Sequence, residues 1–204
     1  MHIVIEPSVL YVGTPGYLIS TINPDGTANL SAASSYWALR QMIVLGIETD
    51  SQTSANLHRH GELTVSFPSA AHWESLLKLS SLTGRSPVPP HKAKRYRFSA
   101  EKFRDAGLTP TPSELVAPPR VAECALQFEA KVRRLTPGLD GSYDMVEAEV
   151  LRVHADERIV HPTGQVDPGA WHPLIYSFRH FFDRGAEVGW LASSPTADGA
   201  PRSK

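Results

Sequence analysis

Cysteine is all but absent from this chain of 204 residues: Cys124 stands alone. A lone cysteine excludes an internal disulfide framework and cannot by itself build a metal site. An excess of one charge is missing too. With 20 Lys and Arg against 21 Asp and Glu, the formal net charge is −1, so no long-range field draws the chain toward nucleic acid or an anionic membrane. No apolar run approaches the length that crosses a bilayer. The opening, Met1-His2-Ile3-Val4-Ile5-Glu6-Pro7, lacks a basic segment followed by a long apolar one. A cytoplasmic location is the expectation. A P-loop, a Gly-rich dinucleotide fingerprint, a nucleophile elbow and a Ser-His-Asp order are also absent. The chain has 9 His, but no spacing puts two imidazoles and a carboxylate on one face, so no metal is expected. His58-Arg59-His60 instead suits the negative end of a helix.

What is present describes an ordinary globular chain. It is 41% hydrophobic and 20% charged, enough for one well-buried core. With 17 Pro and 14 Gly, strands and loops are favoured over long helices. Residues 193–204, from Ser193 to Lys204, offer nothing to bury and are expected to be disordered, leaving one domain over 1–192.

Strand signals come first. Tyr17–Ile22 is an apolar run, and Asn23-Pro24-Asp25-Gly26 a hairpin turn. The small polar segment Asn29–Ser35 and a continuously apolar strand, Met42–Ile47, follow. Gly46 within that strand marks a bulge or a place where a ligand nears the backbone. Thr49-Asp50-Ser51-Gln52-Thr53 opens a short helix, and Leu63–Phe67 is another strand. From Val121 to Arg133 the residues alternate: Cys124, Leu126, Phe128, Ala130 and Val132 on one side, and Glu123, Gln127, Glu129, Lys131 and Arg133 on the other. Tyr143–His154 repeats the pattern, so the two runs read as one long antiparallel hairpin. Cys124 on the apolar side reads as inert packing.

The middle is different. Ala70–Leu82 spaces Trp73, Leu76, Leu77 and Leu79 as a helix does, and Ser99–Ala106 reads as a second helix with a serine cap. Between them lies a basic, proline-broken loop from Arg85 to Arg97. Its commonest role is a solvated surface; its functional one is to grip the phosphates of a nicotinamide dinucleotide. A mainly β chain follows, a barrel carrying a helix-and-loop excursion.

Two segments carry the chemistry. A helix start at Ser51 offers unpaired N–H groups, hydroxyls from Ser51 and Thr53, and the Asn56 amide, a set that suits an anion and equally suits a plain N-cap. Beside it, Asn29, Ser31, Ser34 and Ser35 leave space and hydrogen-bonding groups for a flat polar ring. Tyr36 and Trp37 could cover such a ring, although core packing is the ordinary role of Trp37. His180 sits among aromatics, bordering a ring-shaped ligand or packing a strand edge.

This order of strand, turn, polar run and hydroxyl-rich helix start resembles the FMN-binding split-barrel family of flavin-reductase-like proteins. Its marks are Ser20-Thr21, Asp25-Gly26, Asn29-Leu30-Ser31-Ala32, Ser34-Ser35-Tyr36, Thr53 and Asn56-Leu57. Later come Phe103–Leu108, Pro118–Cys124 and Pro173–Tyr176, so that the likeness runs from about Tyr17 to Trp190. It implies an FMN-binding split β-barrel with a helix-and-loop insertion and short helices, six-stranded and homodimeric, with FMN at the dimer interface. The ring would lie near Asn29–Tyr36 and the phosphate near Thr49–Asn56. The implied cofactor-binding set is Ser20, Thr21, Asn29, Ser31, Ala32, Ser34, Ser35, Tyr36, Thr49, Ser51, Thr53 and Asn56, with His180 at its border.

The implied activity is reduction of bound FMN by NADH or NADPH, with electrons passing to free flavin, another small acceptor or a partner monooxygenase. The alternatives are a non-enzymatic FMN electron carrier or storage flavoprotein, or a split barrel using a deazaflavin or haem. Aligned rings rather than an acid or base carry hydride transfer, so the missing triad is consistent with such an enzyme. Relatives often place Lys or Arg near Ser51-Gln52 and Asn where this chain has Ser66. The aromatic run Tyr176, Phe178, Phe181 and Phe182, followed by Trp190, supplies material for a dimer interface.

Overall fold

Residues 1–188 are described in this computed structural model. The strands are β1 (Val12–Pro15), β2 (Tyr17–Ile22), β3 (Ala28–Ala33), β4 (Tyr36–Leu39), β5 (Met42–Glu48), β6 (Glu62–Phe67), β7 (Leu82–Thr83), β8 (Arg97–Phe98), β9 (Pro110–Thr111), β10 (Arg120–Val121), β11 (Leu126–Pro137), β12 (Tyr143–Ala155), β13 (Ile175–Ser177) and β14 (His180–Phe182). The α-helices are α1 (Gln52–His60), α2 (Trp73–Leu79) and α3 (Lys102–Ala106). No helix among the described residues is long and apolar enough to cross a membrane.

Gly26 takes φ +83°, the conformation glycine adopts at no steric cost, and lets β2 pair with β3 from Ile22↔Ala28 to Tyr17↔Ala33. The large antiparallel sheet has the order β3-β2-β6-β11-β12-β5-β4. Its two edge strands, β3 and β4, are neighbours in sequence, joined only by Ser34 and Ser35. The sheet therefore curls until its edges meet at those two serines, which is how the barrel closes. Tyr17 seals the seam by donating its hydroxyl to the Ser35 carbonyl at 2.9 Å. The sheet has seven strands rather than six because short β4 pairs along β5.

The closed side holds Tyr17, Ile19, Leu45, Leu63, Val65 and Ala148, with Leu57 of α1 reaching in. The outer face of β2 and β3 carries a second core, in which Leu18 and Leu30 pack against Leu76 and Leu79 of α2 and Phe103 of α3. The insertion thus covers one flank of the barrel. Helix α2 is shorter than the apolar spacing suggests, ending at Leu79, and leaves Trp73 and Leu77 half-exposed.

The alternation across Val121–Arg133 needs correcting in three respects. Strand β11 begins at Leu126, and Cys124 packs in the second core rather than in the barrel. Gln127 and Glu129, read as solvent-facing, are 7% and 0% exposed, because residues 110–124 fold back over that face. There Glu129 accepts backbone N–H groups from Glu114, Leu115 and Val116, the shortest at 2.6 Å. His154 joins the same carboxylate at 2.6 Å. Trp37, expected in the core, is 53% exposed on edge strand β4. Ser99 does not cap α3; it accepts the Glu101 N–H in a tight turn and donates to Asp105. Trp190 and the tail 193–204 lie outside the described residues.

Candidate flavin site

Side chains opposite one another on paired antiparallel strands share a face. Thr21↔Asn29 and Ile19↔Ser31 therefore point to the closed side, whereas Ser20↔Leu30 and Leu18↔Ala32 point out to the second core. Helix α1 lies at that closed side and presents Thr53 and Asn56 to the polar pair. Asn29 Nδ2 donates to Thr53 Oγ1 at 3.1 Å, and Ser31 Oγ lies 3.0 Å from the same hydroxyl. Asn56 Nδ2 donates to Thr21 Oγ1 and to Asn23 Oδ1, both at 3.0 Å. Gln52 Nε2 completes the seam with Asn56 Oδ1 at 2.9 Å. One atom is left over: Asn29 Oδ1 is buried without a partner.

The helix starts as the sequence predicts. Ser51 Oγ accepts the Ser54 N–H at 3.0 Å, the Ser51 carbonyl takes that of Ala55, and Gly61 ends the helix at φ +70°. No acidic residue stands in its first turn. A second anchor fixes its far side: Ser54 Oγ donates to Asp144 Oδ2 at 2.9 Å, and His58 Nε2 sits 3.0 Å from the same oxygen. These are the three residue types of a hydrolase triad, but the carboxylate lies in the middle. The hydroxyl donates to the carboxylate and not to an imidazole, so the histidine-to-serine relay of a triad is not formed. The cluster fastens α1 to β12.

A cleft of about 710 Å³ opens beside the closing serines, lined by Tyr11, Ser35, Gly46, Thr49, Lys92 and Tyr143 among others. Tyr11 and Ser35 share a hydroxyl–hydroxyl bond of 2.7 Å. Thr49 donates to the Gly141 carbonyl at 2.9 Å. The close approach at Gly46 is by Ser35: a Cβ there would stand 3.0 Å from the serine Cβ. At the rim, Lys92 bridges Glu48 at 2.6 Å and Asp50 at 2.5 Å, with His91 on the other Asp50 oxygen. Burial works to raise the Asp50 pKa, but Lys92 and His91 outweigh it and hold the carboxyl below its ordinary value. The basic loop is therefore partly docked, not simply solvated. Burial also pushes the Tyr36 hydroxyl up to about 12 and Tyr17 further, so both stay protonated hydrogen-bond donors.

The residues fit a flavin. The cleft volume falls within the few hundred to about 1,000 Å³ usual for small-molecule sites, and the orphaned Asn29 oxygen, the seam hydroxyls and the helix start supply polar groups. Of the residues predicted from sequence, Thr21, Asn29, Ser31, Thr53 and Asn56 are gathered in the seam. Ser35 and Thr49 line the cleft, with Ser34 beside them and Tyr36 packed on Tyr17 and Phe67. Ser51 caps α1. Ser20 and Ala32 point to the opposite side of the sheet. His180 lies apart, in a groove of about 450 Å³ with Trp73 and Phe182. Sequence reasoning missed Tyr11, Gly84 and Asp144. Gly84 had a usable signal, a glycine opening the basic loop; a Cβ there would stand 2.6 Å from Asn29 Oδ1.

A curled antiparallel barrel closed at a hydroxyl-lined joint, with a helix start beside it, has the form of a split barrel. The family model for the flavin reductase like domain matches residues 10–185, and the chain belongs to that family, one of flavin-related oxidoreductases. It is 40% identical over 194 residues, 94% of each chain, to the uncharacterized protein YdfE of Bacillus subtilis (strain 168). Its fold is similar to flavoredoxin of Desulfovibrio vulgaris (Miyazaki F), with a TM-score of 0.79 and 22% identity over 95% of this chain and 99% of that one. It is also similar to nitrilotriacetate monooxygenase component B from Bacillus cereus, with a TM-score of 0.72 and 18% identity over 90% and 89%.

Proposed function

We propose that this protein is an FMN-dependent reductase, acting as a homodimer, in which NADH or NADPH reduces bound FMN and electrons pass to free flavin or another small acceptor. The observation that carries this reading is the joint itself. Ser34 and Ser35 close the barrel next to a cleft, with the buried seam of Asn29, Ser31 and Thr53 behind them. The similarity to component B of a monooxygenase supports a partner monooxygenase as one destination for reduced flavin.

Bound flavin would supply the redox chemistry, taking a hydride from a nicotinamide and giving up electrons to an acceptor. The chain's own residues bind, orient and shield. Ser35 and Thr49 present short polar side chains to the cleft, and Tyr11 holds Ser35 in place. Thr53 and Asn56 act from behind: their hydrogen bonds to Asn29, Ser31 and Thr21 fix α1 against β2 and β3. Tyr17 and Tyr36 exclude water from the barrel end. No side chain need move a proton, which agrees with the absence of a triad.

Reconstitution tests the reading. Purified protein incubated with FMN and desalted should stay yellow, and with NADH or NADPH it should reduce added free flavin. A folded protein that takes up no FMN would defeat the proposal. One that keeps FMN yet oxidises neither nicotinamide would be a carrier, the role that the flavoredoxin-like fold also suits.

A further inference from the structure

Residues 1–8 are exposed throughout. Among the described residues they belong to no strand or helix and share in none of the backbone hydrogen bonds that hold the loops. Yet Ile3, Val4 and Ile5 are 78%, 98% and 67% exposed. Single exposed apolar residues are ordinary, whereas three in a row form a surface that calls for cover. The run also favours a strand, being β-branched throughout and bounded by Pro7. Drawn out as one, it sends Ile3 and Ile5 to one side and Val4 to the other.

The same chain carries a groove of matching character. It is the one of about 450 Å³ between α2 and β14, lined by buried Leu174, by Trp73 and Leu77 of α2 and by Phe182 of β14. Trp73, Leu77 and Phe182 are about half-exposed there. Strand β14 ends the order β1-β13-β14, so among the described residues its outer edge presents backbone groups without a strand partner. Arm and groove lack the same two things, apolar cover and backbone partners. The arm does not fill the groove of its own chain. The Phe178 N–H donates to the Tyr11 carbonyl at 2.9 Å, so the arm leaves β1 at the hairpin turn, two strands from the free edge of β14. None of its residues lines the groove. Turning back would need a reversal over Ser8-Val9-Leu10, and no glycine occurs before Gly13 to ease one. A second copy brings the same arm from outside without that reversal, and a twofold axis lets each copy give and receive one.

We propose that residues 2–6 of one copy lie as an added strand along β14 of its partner, with Ile3 and Ile5 in the groove against Trp73 and Leu77. The inference rests on the homodimer proposed above and assigns it a contact exchanged between chains. Backbone pairing at the strand edge gives the arm its direction, and alternate side chains entering the groove fix its register.

Photo-crosslinking tests it on the full chain. With p-benzoylphenylalanine in place of Ile5, and with unlabelled and isotope-labelled copies mixed, irradiation should join this residue to the segments around Trp73–Leu77 or His180–Phe182. The linked peptides should include pairs of one labelled and one unlabelled chain. Links to the groove with no mixed pairs would seat the arm in its own chain and overturn the proposal, as would mixed links to any other surface. Sedimentation gives a second reading. Deleting residues 1–7 should weaken self-association about a hundredfold. Leu77→Glu should act in the same direction, and adding it to the deletion should cost little more, since both break one contact. A deletion that leaves the dimer at its wild-type strength would overturn the arm exchange while the homodimer stands. A wild-type chain that sediments as a monomer would remove both.

Discussion

At the scale of single residues, Glu129 is the most constrained side chain outside the site. Its carboxylate takes three backbone N–H groups and His154 in a place closed to water, with Arg120 Nε 4.0 Å away. Glu129→Gln turns one acceptor into a donor facing those N–H groups. The expected cost is about 3 kcal/mol, read as a lower urea midpoint with an unchanged m-value. A shift below experimental error would mean that the 113–117 loop is held by something else. The residue also marks where sequence reading stops. Alternation assigned Glu129 to solvent because period 2 gives a face but not what covers it; the cover comes from residues 110–124, far from regular and without a period to detect. That Asn29, Ser31 and Thr53 come together, by contrast, was legible, since buried polar side chains beside apolar strands must find partners.

Among elements, the β13–β14 hairpin is built against the local preference of its sequence. Phe178 and Arg179 form its turn with φ +44° and +70°, where a side chain costs about 1–2 kcal/mol per residue. Arg179→Gly should relieve part of this, raising stability by about 0.5–1 kcal/mol after the added freedom of the unfolded chain is subtracted. Thermal melting checks it; a lower melting temperature would mean that the guanidinium, which borders the groove with His180, holds the hairpin. The order of strands and the position of α1 could be read from apolar runs and from Asp25-Gly26. The docking of the basic loop could not, because it depends on Lys92 finding Glu48 and Asp50 across more than 40 positions of sequence; the early end of α2 at Leu79 had no stop signal in the apolar spacing.

The whole molecule presents apolar side chains that one chain leaves uncovered. Trp37 and Leu39 on β4 are 53% and 60% exposed, and Phe178 and Phe182 are 44% and 52%. An edge strand with large exposed apolar residues is a pairing surface unless something covers it, and a second copy is the cover proposed above. Sedimentation at micromolar concentration should give twice the chain mass, and Trp37→Glu should give the single mass. A wild-type monomer that retains FMN would place the whole pocket within one chain.

The barrel's closing joint also sets an order of events in time. Each hairpin, β2–β3, β4–β5 and β11–β12, can form from nearby residues, but the joint at Ser34–Ser35 is enclosed only after β5 has found β12 and β2 has found β6. Pairings so far apart in sequence come late and slowly. The pocket should therefore be missing from the folding transition state, with φ-values near zero expected for its contacts. If FMN binds there as proposed, it should leave the refolding rate of this protein unchanged while slowing its unfolding, moving one limb of the chevron and not the other. The chain would commit to its fold unaided, and the flavin would act afterwards as the bolt.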